Sequence, residues 1–156
     1  QKGSPHQTDE RTLCSANTEV SVVCQTRSWL PAEIGAITWR AMATPCTSVF
    51  TPWYYGNPNI PEAFKNGTNL YTENSAYWTF RDLSRYADVR YQSVSNTIHK
   101  RIALFEQKEF AAQAQWEKEA LRLYGQDKQQ ALRFLADTTN NLATQSVQLG
   151  DALRRQ

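Results

Sequence analysis

The distribution of proline divides this chain into two parts that must fold differently. All six prolines lie at or before residue 61, and the chain from residue 73 onward contains none. Proline removes a backbone donor and disrupts helix interiors, so it is found in turns, in edge strands and at helix starts. We therefore expect a strand-rich part over residues 1–56, a connection over 57–72 and a helical part over 73–156.

Three short segments before residue 56 have the composition of β-strands. Residues 18–24 and 36–43 predict the first two strands, and TSVFTPWYY, at 47–55, predicts a third. The turn residues between them favour an antiparallel meander. We expect Pro45 to admit the third strand and Pro52 to end its pairing, because proline cannot donate to a sheet ladder.

Hydrophobic spacing predicts helices after residue 73. Ser75 or Asn74 can cap the first helix, and Asp127 can cap the last. Four stripes of apolar residues recur at helical spacing: Tyr77, Phe80, Leu83 and Ala87; Val94, Ile98, Ile102 and Phe105; Phe110, Ala114, Leu121 and Tyr124, followed by Gly125 as a C-cap; and Leu135, Leu142 and Leu149, flanked by Leu132 and Leu153. The last stripe is too short for a coiled coil and favours a helix packed on its own sheet.

Residues 57–72 form a long connection rich in proline and asparagine. A loop of this length inside a compact domain is typically functional or forms a lid. The preceding PWYYG, at 52–56, contributes aromatic side chains that either line a pocket or pack in the core. The connection also contains NGT, at 66–68, a formal glycosylation sequon.

The composition excludes two classes of partner. Apolar residues make up 40% of the chain and charged residues 21%, as in soluble globular domains. The formal net charge is only +2, and the basic stretches HKR and LRRQ are too short for a nucleic-acid interface, so no nucleic-acid partner is expected. No apolar run approaches the roughly 18 residues of a membrane span, so no membrane-spanning segment is expected.

The three cysteines leave two structural interpretations open. Cys14 and Cys24 lie ten residues apart and Cys46 stands alone, which matches no zinc-binding spacing. They are either buried thiols or one disulfide with a leftover thiol. We expect a buried structural thiol at Cys46 rather than a nucleophile, because nothing near it in sequence would lower its pKa.

Few residues have the pattern of a catalytic or metal site. His6 and His99 each lack a second ligand at helical spacing, and no glycine-rich phosphate loop occurs, so no metal and no cofactor are expected. The acidic residues are interpreted mostly as solvated helix faces or caps. A site role for Glu62 or Glu73, in the long connection, stays open but is not indicated. Arg11 could stabilise a carboxylate or an oxyanion in a cleft, and a surface salt bridge is the alternative.

Four ordered segments resemble the C-terminal part of the C69 family of dipeptidases, a branch of the N-terminal nucleophile hydrolases. They are RTLCSANTEVSVV, LPAEIGAITWRAMATPCTSVFTPWYYG, IPEAF and SAYWTFRDLSRYA, and they span roughly residues 10–90. The resemblance implies an α+β fold that is part of a four-layer αββα sandwich. In that fold, short antiparallel strands are followed by a helical C-terminal half.

The resemblance also implies a cysteine-type dipeptidase. In that family an N-terminal Cys attacks the scissile carbonyl, and its own α-amine acts as the base. Residue 1 here is Gln, and all three cysteines are internal. We therefore expect the catalytic Cys to precede this chain, which would be a processed or truncated C-terminal portion of a larger hydrolase domain and inactive alone. Arg11 is the one position that resembles an active-site residue of related hydrolases.

The partners implied by the resemblance are the N-terminal portion of the same protein and a dipeptide or short-peptide substrate. Homo-oligomerisation stays open, and so does the choice between a cytoplasmic and a secreted location. Two other functions remain as alternatives: an N-terminal nucleophile amidase or acylase of the same architecture, and a non-enzymatic helical interaction module. A large exposed apolar sheet face would favour the interpretation of the chain as a portion of a larger protein. A stable monomer would favour the interpretation as an interaction module.

Overall fold

A computed structural model of the chain describes residues 14–155. These residues form three strands, β1 (Val20–Thr26), β2 (Ala36–Met42) and β3 (Thr51–Tyr54), and four α-helices, α1 (Ala32–Gly35), α2 (Ala76–Val89), α3 (Tyr91–Tyr124) and α4 (Lys128–Arg154). Short 3-10 turns lie at Pro45–Thr47 and Glu62–Phe64. The fold is α+β, as predicted, with the strands early in the chain and the long helices after them.

The three strands form an antiparallel meander in the order β1-β2-β3. Val23 pairs with Trp39, and Trp39 pairs with Pro52 on the other side. The prediction that Pro52 ends the pairing is therefore wrong. β3 is an edge strand of this sheet, where a proline can face its missing donor away from the ladder. Pro45 begins a 3-10 turn rather than a strand, so that prediction is wrong as well.

Two of the predicted helix caps are confirmed. The side chain of Ser75 accepts a hydrogen bond from the backbone N–H of Trp78, at 3.4 Å, and begins α2. The side chain of Asp127 accepts one from the backbone N–H of Gln129, at 2.8 Å, and begins α4. Each cap satisfies a backbone donor that the first helical turn leaves free.

The apolar core consists of two clusters that lie at different levels of α3. The first joins α2, the early part of α3 and the end of α4: Ala43, Val49, Phe80, Leu83, Ala87, Ile98, Ile102 and Leu153. The second lies between the sheet and the later part of α3: Ile34, Ile37, Trp39, Tyr54, Ala120 and Leu135. Between Ile102 and Ala120, the buried residues of α3 are Glu109 and Glu117.

The inward face of α3 differs from the predicted stripe. Phe110, Ala114 and Leu121 are exposed, although the ring of Phe110 lies 4.7 Å from that of Trp39. The helix is instead continuous over 34 residues. It keeps the register of Ile98 and Ile102, so its buried side turns glutamates toward the sheet. Glu117 finds its partners on distant elements, Arg27 and Tyr54, which apolar spacing cannot show.

α4 packs against α2, α3 and β3, which confirms the expectation of a helix on its own sheet. Its leucines contribute unequally, since Leu135 and Leu153 are buried while Leu142 and Leu149 are only half-buried. Small residues make up much of the buried surface of α4. A Cβ added at Gly150 would lie 2.9 Å from Cγ2 of Thr79, so the close approach of α2 and α4 requires glycine there.

The described strands form one sheet, with α3 and α4 packed on the face that carries Ile37, Trp39 and Tyr54. We call this the inner face. The opposite, outer face carries Val22, Arg40 and the residues in register with them. Within residues 14–155 there is no second sheet on the outer face, so the four-layer sandwich stays a prediction.

Candidate functional site

The one catalytic residue suggested by the sequence, Arg11, lies outside the described residues, as does His6. The role of Arg11 therefore stays a prediction. His99 is exposed on α3 and lines a small cleft beside Asp88 and Tyr91.

A disulfide joins Cys14 to Cys46, with a Cα–Cα distance of 6.0 Å. The expectation of a buried thiol at Cys46 is therefore wrong, and the alternative of one disulfide with a leftover thiol is confirmed. The leftover thiol among the described residues is Cys24, which is exposed on β1. The bond fastens the chain ahead of β1 to the 3-10 turn that precedes β3.

The connection lies along the outer face of the sheet. Phe64 packs its ring 5.1 Å from that of Trp53, over the β3 side of this face. Asn57 and Ile60 adjoin the floor at one end of the strands, and residues 67–69 adjoin it at the other end. The connection therefore forms one wall of a cleft whose floor is the outer face of β1 and β2. We call this cleft the outer groove.

Two cavities that share no lining residue lie along the outer groove, and we call them its two chambers. The first has a volume of about 340 Å³ and is lined by residues that include Cys24, Thr38, Arg40, Trp53, Tyr55 and Ile60. The second has a volume of about 550 Å³ and is lined by residues that include Glu19, Val20, Met42, Thr68, Tyr77 and Trp78. Both volumes are in the range of about 300 to 1,000 Å³ that small-ligand sites occupy.

Each chamber has one charged residue in its described lining. Arg40 lines the first chamber, and its Nε donates a hydrogen bond to Oγ1 of Thr38 at 3.2 Å. Glu19 lines the second chamber, and its carboxylate makes no hydrogen bond or ion pair with any residue of the described part. The groove thus offers a cation in one chamber and an anion in the other, among aromatic side chains.

The inner face carries a second polar assembly, built around Glu117 of α3. Arg27, which follows β1, donates from Nη1 and Nη2 to the two oxygens of Glu117, at 2.5 and 2.7 Å. The hydroxyl of Tyr54 donates to Oε1 of Glu117 at 2.8 Å and accepts from Nε1 of Trp116 at 2.6 Å. Gln113 also donates to Oε1 at 2.9 Å. We call this set the Glu117 network.

The pKa directions show that Glu117 stays ionised and Tyr54 stays neutral. Burial alone would raise the pKa of Glu117, but the hydrogen bonds from Arg27, Gln113 and Tyr54 outweigh it, so the pKa is lowered. Burial raises the pKa of Tyr54 well above its ordinary value, and the nearby charge of Glu117 adds to this. A satisfied ion pair of this kind holds elements together and offers no free acid or base.

Glu109 is a different kind of buried carboxyl group. It is 2% exposed, and neither of its oxygens has a hydrogen-bond partner within the described structure. Burial and the neighbouring Glu106 raise the pKa of Glu109 to about 8. Burial also raises the pKa of Glu106, whose Oε1 accepts from the backbone N–H of Phe50 at 2.9 Å. Glu109 is therefore largely protonated at neutral pH.

The interpretation of the acidic residues as mostly solvated helix faces or caps has two exceptions, since Glu109 and Glu117 are buried in α3 and cap no helix. A signal for them exists in the sequence. Starting from Ile98 and Ile102, steps of three and four residues along one helix face reach Glu106, Glu109, Gln113, Glu117 and Ala120. Extending the first stripe of α3, instead of starting a new one at Phe110, would have placed these side chains inward.

Metal and membrane features are absent from the described part of the chain. No group of three or more His, Cys, Asp or Glu side chains in residues 14–155 could hold a metal ion. Within the same residues, none of the helices is both long and apolar enough to cross a bilayer.

One comparison with known proteins gives a match. The family model described as peptidase family C69 matches residues 1–103 of the chain. No curated protein matches it. The matched range includes β1, β2, β3, the connection and α2, and ends inside α3.

Proposed function

The chain belongs to peptidase family C69, and we propose on that premise that it forms the peptide-binding portion of a cysteine-type dipeptidase. The nucleophile of this enzyme would be an N-terminal Cys outside the chain. The N-terminal portion of the same protein would supply that Cys and close the active site over the outer groove.

The observation that carries this proposal is the position of the outer groove within the family match. Every residue that lines either chamber lies between residues 19 and 78, inside the matched range of 1–103. Glu106, Glu109 and Glu117 lie beyond that range. The groove therefore belongs to the part of the chain that defines the family, and the buried acidic residues of α3 do not.

The cysteines of this chain support a nucleophile from elsewhere. Cys14 and Cys46 share a disulfide, and Cys24 is an exposed internal residue without an α-amine of its own. In the proposed reaction, the α-amine of the N-terminal Cys takes the thiol proton, and the sulfur bonds to the scissile carbonyl carbon. The peptide C–N bond breaks as that proton passes to the leaving amine, and water then hydrolyses the thioester.

The outer groove would hold the substrate during this reaction. Its lining includes Trp53, Tyr55, Tyr77 and Trp78, which offer apolar surface for the peptide side chains. Positioning the scissile carbonyl next to the sulfur lowers the entropic barrier to attack. The exposed apolar residues of β1 would be covered by the N-terminal portion.

The test is to produce this chain together with the segment encoded before it and to measure hydrolysis of unblocked dipeptides. We expect hydrolysis from the joined protein and none from the 156-residue chain alone. Alkylation of the N-terminal Cys should abolish the activity. A joined protein with Cys24→Ser is the matched control for the reagent, because it removes the exposed thiol of the described residues. The activity that this variant shows should still be abolished by alkylation.

Activity that survives alkylation of the N-terminal Cys would rule out the thiol mechanism. Activity of the 156-residue chain alone would show that the nucleophile lies within it. Hydrolysis of acyl-amides but not of dipeptides would assign the protein to an amidase instead.

A further inference from the structure

The disulfide between Cys14 and Cys46 lies just beyond one end of the β1–β2 ladder. The register of the two strands ends at the pair of Val20 and Met42. Cys14 lies six positions before Val20, and Cys46 lies four positions after Met42. The bond therefore joins the two segments that lead away from this pair. It holds the chain ahead of the first strand to the 3-10 turn that follows the second strand.

A strained residue lies between the end of β2 and the disulfide. Ala43 has a φ of 58°, in the left-handed region, and no other non-glycine residue within 14–155 has a positive φ. Its side chain is fully buried, and its backbone N–H donates a hydrogen bond to the carbonyl of Glu19 at 2.7 Å. A left-handed backbone is unfavourable for a residue with a Cβ and persists only where surrounding contacts hold it. Cys46 follows three positions later, so the disulfide restrains the chain next to the strained residue.

The sulfur atoms of this disulfide face a cleft that admits a small thiol. Cys14 and Cys46 are only half-buried, and both line a cleft of about 100 Å³ beside the exposed side chain of His99. The thiolate of a low-molecular-weight thiol such as glutathione can bond to one sulfur, and the other cysteine then leaves as a thiolate. A second small thiol attacks the mixed disulfide and releases the first cysteine. Two small thiols are thereby oxidised to a disulfide, and their electrons and protons pass to the two cysteines.

We propose that the Cys14–Cys46 disulfide is a thiol-responsive switch that keeps Ala43 in its left-handed conformation. When a small thiol reduces the bond, Ala43 relaxes to an extended backbone and its N–H leaves the carbonyl of Glu19. The first residues of β1 then separate from the end of β2. The oxidised form of the same thiol reverses the change.

The change should be confined to this end of the sheet, because other bonds hold the same two segments to α2. Arg81 donates a hydrogen bond to the carbonyl of Ala16, and the hydroxyl of Ser84 donates one to that of Thr44 at 3.1 Å. Neither bond involves a sulfur atom. The residues that move are part of the described lining of the second chamber, which includes Glu19, Val20 and Met42. Reduction would therefore reshape that chamber and leave the helices in place.

Nuclear magnetic resonance of the 156-residue chain tests the proposal, in a Cys24→Ser background that removes the exposed thiol of the described residues. The chain is compared before and after incubation with millimolar reduced glutathione, and alkylation followed by mass spectrometry counts the thiols formed. We expect both cysteines to be reduced without denaturant. The backbone 13C shifts of Ala43 should leave their left-handed values, and the amide signals of Glu19 and Val20 should move. The extended form of Ala43 should gain about five- to thirty-fold in population, which is the weight of a left-handed alanine.

Two glycine substitutions separate relief of strain from a general loosening. Ala43→Gly removes the strain, because glycine adopts a positive φ without cost, so the signals of Glu19 and Val20 should keep their oxidised positions after reduction. Ala41→Gly makes the same chemical change two positions earlier, where φ is not positive, and is the matched control. In that variant the two signals should move on reduction, as in the parent. Circular dichroism verifies that every form keeps its helices.

Four results would overturn the proposal. The first is a disulfide that glutathione reduces only in denaturant. The second is a reduced chain in which the signals of Ala43, Glu19 and Val20 stay in place. The third is a reduced chain that loses its helical circular dichroism, because the bond would then serve overall stability. The fourth is equal movement in the reduced parent and in reduced Ala43→Gly. None of these measurements needs peptidase activity, so the inference goes beyond the proposed function and does not fail with it.

Discussion

The two faces of the sheet distribute charged and apolar side chains in opposite ways. The inner face buries the Arg27–Glu117 ion pair together with a protonated Glu109. The outer face leaves Val20 and Val22 close to half exposed, at 48% and 49%. Two carboxyl groups, those of Glu109 and Glu117, are therefore buried beside the inner face, and that of Glu117 holds α3 to the residue that follows β1. The face that is open to a ligand is defined by apolar floor residues with only two charges.

The largest effect should come from breaking the ion pair of the inner face. Arg27→Met leaves the carboxylate of Glu117 buried without its cation, which typically costs about 3 to 5 kcal/mol of unfolding free energy. Urea denaturation followed by circular dichroism measures this cost. Arg40→Gln is the matched variant on the outer face and should change stability by no more than about 0.5 kcal/mol. Equal losses of unfolding free energy for the two substitutions would show that the two faces do not differ in this respect.

The protonated state of Glu109 predicts a pH dependence of stability. The pKa of Glu109 is about 8 in the folded protein and has an ordinary value of 4.5. Between these two values the folded state retains a proton that the unfolded state releases. The contribution of this proton to the unfolding free energy is therefore full below about pH 4.5 and is lost as the pH rises through about 8. We expect a loss of several kcal/mol across this interval, because each unit of pKa shift corresponds to about 1.4 kcal/mol.

Glu109→Gln should flatten that pH dependence, because an amide has the size of the carboxyl group and does not titrate. Unfolding free energies at a series of pH values between 5 and 9 provide the measurement. Glu119→Gln on the same helix is the control. The hydrogen bonds from Arg122 lower the pKa of Glu119, so Glu119 stays ionised between pH 5 and 9 and its substitution should leave the slope there unchanged. If the wild-type and Glu109→Gln proteins have parallel pH profiles, Glu109 is ionised in the fold.

The smallest effect should come from the outer face. Val22→Thr removes exposed apolar surface and should alter the unfolding free energy by no more than about 0.5 kcal/mol. The matched inner-face change, Ile37→Val, removes one buried methyl group and should cost about 0.5 to 1.5 kcal/mol. The binding of a hydrophobic dye to the native chain should fall with Val22→Thr only. A large loss of stability with this variant would mean that the outer face is covered in the isolated chain.

Local signals in the sequence predicted much of the fold. The meander order follows from the strand-forming segments and turns between residues 18 and 55, and the caps at Ser75 and Asp127 are short-range hydrogen bonds. Pro52 was misread because its effect depends on which strand edge it occupies. A strand at the edge of a sheet tolerates a missing donor, and only the three-dimensional order of the strands shows that β3 is such an edge.

The candidate site was less accessible to prediction. The sequence indicated that the connection over 57–72 would be functional or form a lid, and the structure places it as one wall of the outer groove. The sequence did not indicate that Glu19 and Arg40 line this groove, because their positions depend on the register of the strands. Helical spacing from Ile98 and Ile102 reaches Glu117, but the cation that keeps its carboxylate buried, Arg27, lies 90 positions away in the sequence and could not be paired with it beforehand.

The ion pair between Arg27 and Glu117 joins residues 90 positions apart in the sequence. The α3–α4 hairpin, by contrast, consists of contacts between neighbours in the chain, which form quickly because little loop entropy is lost. During folding the hairpin should therefore assemble first and the sheet should dock on it late. Until that docking, β1 is the edge strand of an uncovered sheet and has no charged residue, so it is the segment through which unfinished molecules would associate.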